Sequence, residues 1–158
     1  MDPLTRAARS FATDLLARLA PRAPHTPEAA SALRLVARGA SPKDIVAALR
    51  LAEADPQARH PVVALDFAFA ERSAFLQQAE TVIRRDEEAL RDGLRKDAIS
   101  IGAVDMRTPL TDSGGLARTL SSWSAAVAEA LDGLVVAVIP NVVGDVSGYH
   151  ELVSCLAR

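Results

Sequence analysis

LVVAVIP, residues 134–140, is the most strand-like run in the chain, apolar at every position, rich in β-branched side chains and ended by Pro140. A strand that is apolar throughout, instead of at alternate positions, is one covered on both faces, as in a parallel sheet flanked by helices. PVVALDF at 61–67 has the same character and is bounded by Pro61. AISIGAV at 98–104 is a third, shorter candidate. Residues 71–96 lie between the first two runs and carry Phe75, Ala79, Val82, Ile83, Leu90 and Leu94 at helical spacing, with Glu80, Arg84 and Glu88 placed for i,i+4 pairing. At ~1.5 Å per residue that helix outruns a short strand, so part of it is expected to project. A further helix over 116–131 aligns Leu116, Leu120, Trp123, Val127 and Leu131 and stops at Gly133, and residues 146–157 close the chain. The order β-α-β-α-β-α requires parallel pairing through crossovers. The fold class is therefore α/β, a small three-stranded parallel sheet.

A helical subdomain of about three helices precedes it. Asp2-Pro3, Thr26-Pro27 and Ser41-Pro42 each set a capping residue before a proline at the first helical position. They start helices over 4–20, 28–38 and 42–54. The first aligns Leu4, Ala8, Phe11, Leu15 and Leu19, and the third carries Ile45, Val46, Leu49 and Ala52. The expected division is 1–56, helical, and 57–158, α/β, with the whole read as the N-terminal piece of a larger protein.

The length of 158 residues suits one domain, or one with an appendage. Aromatics make up only 4% of the chain, so Ala, Leu and Val must fill the interior. The net charge is −2 with the basic residues scattered, which argues against neutralising a polyanion such as nucleic acid. Lys43 and Lys96 are the only lysines among eighteen cations, a usage typical of GC-rich bacterial genomes. Cys155 is single, and no run approaches the ~20 apolar residues of a membrane span. MDPLTRAARSF lacks the apolar centre of a signal peptide, so the expected address is cytoplasmic, without a membrane partner.

ALRLVARGASPKDIVAAL, residues 32–49, resembles the first two helices of a LuxR-type helix-turn-helix, with Gly39-Ala40-Ser41 as the turn. The resemblance implies DNA binding through a basic third helix. RLAEADPQARHP follows instead, and Pro56 and Pro61 break any such helix, so the element that would enter the major groove is missing.

In an open parallel sheet, ligands gather beyond the carboxyl ends of the strands. The residues there are Asp66, Asp105 and Asn141. Two acids at adjacent strand ends can hold Mg²⁺, which makes a phosphotransfer or phosphohydrolase-like domain the enzymatic alternative. Short acids at such positions also cap loops and helices. Ser113, Gly114 and Gly115, at the start of a helix, are candidates for contact with a small anion in a sensing domain. No Walker A lysine, GxGxxG, GxSxG or His-Cys metal spacing occurs, and no cofactor is implied.

A three-stranded sheet has two unpaired edges, which proteins seldom leave bare. The function expected is therefore non-catalytic: protein–protein interaction or regulation, as an adaptor domain of a bacterial assembly. Its docking face would be Leu4, Phe11, Leu15, Leu19, Ile45 and Leu49. A partner protein, further domains of the same chain or a second copy would each fit.

Overall fold

A computed structural model describes residues 6, 10, 13, 14, 41–54, 58–128 and 130–157. These contain four named helices and a two-stranded parallel sheet, in the order α1 (Pro42–Glu53), β1 (Val62–Leu65), α2 (Arg72–Lys96), α3 (Ser113–Val127), β2 (Val135–Val138) and α4 (Val146–Leu156). Arg6, Ser10, Thr13 and Asp14 are helical and exposed. Leu4, Phe11, Leu15, Leu19 and the helix expected over 28–38 lie outside the described residues. Among the described residues no helix is long and apolar enough to cross a membrane.

The two strongest apolar runs pair as their composition predicts. Val62, Val63, Ala64 and Leu65 stand beside Val135, Val136, Ala137 and Val138, and the crossover between the strands carries α2 and α3. Beyond Leu65 and Val138 the two segments meet again at a parallel bridge between Phe69 and Val143. There Phe69 N–H donates to the Val142 carbonyl at 2.8 Å, and Gly144 N–H to the Phe69 carbonyl at 2.8 Å. This approach is why residue 144 is glycine: a Cβ would lie 3.2 Å from the Ala70 carbonyl oxygen and 3.3 Å from its Cα.

The core lies between the sheet and the inner faces of α2, α3 and α4. Phe75, Leu76, Ala79 and Ile83 of α2 meet Leu116, Leu120, Trp123 and Val127 of α3, with Leu152 of α4. Burying each of the leucine, isoleucine, valine and phenylalanine side chains here contributes about 1.5–3 kcal/mol. Helix α1 covers a second region, where Ala48 and Ala52 pack on Val135. Its start is fixed by Pro42 and a capping box: Asp44 N–H donates to Ser41 Oγ and Ser41 N–H to Asp44 Oδ2. The hydrogen bonds from the Ser41 side chain, and then from its backbone, hold the Asp44 carboxyl below the usual range.

The third strand is not formed. Residues 98–104 leave α2 in a Schellman turn, with Ala98 N–H donating to the Arg95 carbonyl and Ile99 N–H to that of Leu94. Ala98 takes the left-handed conformation this turn needs, at φ 59°. The chain then runs back along α2 as a strap. Arg91 donates to the carbonyls of Ile101 and Gly102, and Leu110 N–H donates to Glu80 Oε2. On the other side Ser122 and Thr119 of α3 accept from the backbone of Asp105 and Arg107. Helix side chains thus satisfy backbone groups that a neighbouring strand would have satisfied. The same strap keeps the end of α2 on the core, for Leu94 remains buried and packs in the main cluster.

Helix α3 begins earlier than its periodicity suggests, at Ser113, because Asp112 caps it by accepting from Gly115 N–H at 2.7 Å. Asp145 caps α4 in the same way, accepting from Gly148 N–H at 2.8 Å. Any Cβ on Gly148 would collide with that capping carboxylate.

Candidate functional site

The carboxyl end of the sheet, where a ligand crevice would open, is filled by aromatic side chains. Phe67 and Phe75 have ring centroids 4.7 Å apart, Phe69 and Phe75 4.8 Å, and Phe69 and Tyr149 5.6 Å. Phe69 and Phe75 are fully buried. Asp66 and Asn141 follow the paired ends of β1 and β2 and are exposed. Asp105 is elsewhere. It sits in the strap, exposed, its carboxylate 3.1 Å from Arg107 Nε and its N–H on Ser122. The adjacent strand end that recruited Asp105 to a site with Asp66 therefore does not exist. Among the described residues no group of three or more His, Cys, Asp or Glu side chains is placed to hold a metal ion.

Ser113, Gly114 and Gly115 form the first turn of α3, and the positive end of that helix is already met by the Asp112 carboxylate. Ser113 is buried with its Oγ unpartnered. A cavity of about 270 Å³ opens between α1 and α2, bordered by Arg50, Glu53, Val62, Asp86, Leu90 and Trp123. Its charged groups are engaged with one another: Arg50 bonds Glu53 at 2.7 Å and Asp86 at 3.1 Å. Burial alone would lower the pKa of the Arg50 guanidinium, but hydrogen bonding and charge from Glu53 and Asp86 outweigh it and hold it above the usual value.

The sheet edges are the features left, and they differ. On β1, Val62 N–H donates to Glu53 Oε1 at 2.8 Å, and Arg50 Nη1 donates to the Val62 carbonyl at 2.8 Å. One ion pair on α1 thus takes a donor and an acceptor on the outer side of β1, as a neighbouring strand would. Every β1 residue is buried. On β2, Val135 N–H and Ile139 N–H donate toward Pro61 and Leu65, so Val135, Ala137 and Ile139 face β1. The alternation of a parallel ladder then turns the backbone groups of Val136 and Val138 outward. All four β2 residues are only half-buried, and 133–141 contains no charged side chain. Beyond the strand, Val142 in the following loop and Val146 at the start of α4 are 58% and 59% exposed.

Of the residues expected to form a docking face, Leu49 is buried at 2% exposure and Ile45 is half-buried. The guarding pair Arg50–Glu53 had only a weak sequence signal, its i,i+3 spacing. Its target, the backbone of Val62, is invisible in any pattern of side chains. Comparison with protein-family models, with curated proteins and with solved structures found none that matches the chain.

Proposed function

We propose that this chain is a non-catalytic protein–protein interaction module, acting as an adaptor or regulatory domain in the cytoplasm of a bacterium, and that it docks through β2. The observation that carries the reading is the outer edge of β2, which no strand among the described residues pairs with, apolar and half-buried along its length and followed in sequence by the exposed Val142 and Val146. Soluble proteins normally blunt such an edge with charge, proline or a cover. Among the described residues α1 blunts the other edge, and no strand pairs with this one. At the ligand end of the sheet the phenylalanines pack on one another, and the cavity of about 370 Å³ beside Phe67 is bordered by Gln77, Gln78, Thr81 and Val82, without a charged group.

Site-specific photocross-linking in the native host tests the reading. A photoreactive residue at Val142 is expected to form protein adducts that one at Glu88, on the exposed charged face of α2, does not form. Equal, featureless labelling from both positions would sink the proposal.

A further inference from the structure

We infer that the occupant of the β2 edge is a second copy of this chain, its own β2 adding antiparallel across a two-fold axis at Ala137. The inference rests on the docking reading above and names the partner.

The register follows from which groups point outward. In an antiparallel pair, two residues that exchange both hydrogen bonds alternate with two that exchange none. Val136 and Val138 are the residues with outward backbone groups, so a two-fold axis at Ala137 makes Val136 of one copy exchange bonds with Val138 of the other, and the reverse. Ala137 then faces itself in a non-hydrogen-bonded pair, where Cα atoms come within about 4.5 Å and side chains crowd most. It is the smallest residue of β2, standing where the least room exists. Pro140 lacks the N–H that a longer ladder would require, so pairing is confined to this short stretch.

Charge and closure point to the same occupant. No charged side chain lies between Gly133 and Asn141, so a second copy brings no like charge against the first. The first charge before β2 in the sequence, Asp132, is paired with Arg59 at 2.9 Å. The joined sheet would run β1, β2, β2, β1, and both of its new outer edges are the ones held by Arg50 and Glu53. Assembly therefore stops at two, the closed isologous form.

The test uses the full chain. Sedimentation should give a monomer–dimer equilibrium. Ala137→Lys and Ala137→Glu should each raise its Kd about fivefold, from like charges directly opposed, and an equimolar mixture of the two should return it to the wild-type value or below. In a Cys155→Ser background, Ala137→Cys should oxidise to a disulfide-linked dimer while Val135→Cys should not, since only the first pair meets within disulfide reach. The cysteine pair keeps the inference falsifiable if a charged variant fails to fold. A wild-type chain that stays monomeric at hundreds of micromolar, or a dimer indifferent to all four substitutions, overturns it. If the chain is monomeric while Val142 still cross-links to a different protein, the second copy fails and the docking reading stands. If neither dimer nor adduct forms, both fail.

Discussion

The two edges of one small sheet have been treated in opposite ways. Strand β1 is buried along its length and has an outer N–H and carbonyl taken by Glu53 and Arg50, whereas β2 is half-exposed and, among the described residues, is limited by Pro140. Both strands are equally apolar, so composition does not separate them. The difference lies in the helix that precedes β1, which brings an ion pair to a backbone. An edge is safe or available according to what flanks it in space.

The largest test of this contrast is to place the same charge on each strand. Ala64→Lys, on buried β1, should lower unfolding stability by about 3 kcal/mol or more in urea denaturation, because the ammonium would be desolvated without a partner. Ala137→Lys, on half-exposed β2, should cost less than about 1 kcal/mol and act mainly on association. Equal losses would erase the distinction. Next comes removal of the guard. Arg50→Ala frees the Val62 carbonyl and leaves Glu53 and Asp86 facing each other, at a cost of about 2 kcal/mol for a side chain still partly solvated. It should also expose a second edge, so light scattering should detect species larger than a dimer.

A smaller effect acts through the anchoring of α1. The Asp44 carboxyl titrates lower in the folded chain than in the unfolded one, so its cap supports the helix above the unfolded value of about 3.9 and is lost as pH falls through the folded value. Asp44→Asn should flatten the acid limb of the stability curve measured by circular dichroism. The smallest change touches neither edge: Ala98→Gly relieves a left-handed alanine and should add roughly 0.5–1 kcal/mol in thermal unfolding, leaving association unchanged.

Much of the architecture was legible from side-chain periodicity. Residues 42–54, 71–96, 134–139 and 146–157 form the expected elements within a residue or two, and the outer apolar runs pair in parallel as all-apolar strands should. AISIGAV was not legible, because a short apolar run fits a buried strand and a strap equally well. What decided it were backbone partners: the Schellman turn at Ala98 and the carbonyls gripped by Arg91. Once that strand was gone, Asp105 had no strand end to stand on, and the two-acid site lost its geometric premise. The open edge was expected from strand counting, but which edge, and what guards the other, depended on Arg50 and Glu53 reaching across to Val62.

That reach goes to main chain, not to a side chain. The two hydrogen bonds from α1 therefore need only main chain at position 62, so exchange among apolar residues that fit the buried place of Val62 should leave the clasp in place, while a proline would silence its donor. The protective function can persist through substitution at its own target, provided the fork of Arg50 and the carboxylate of Glu53 stay.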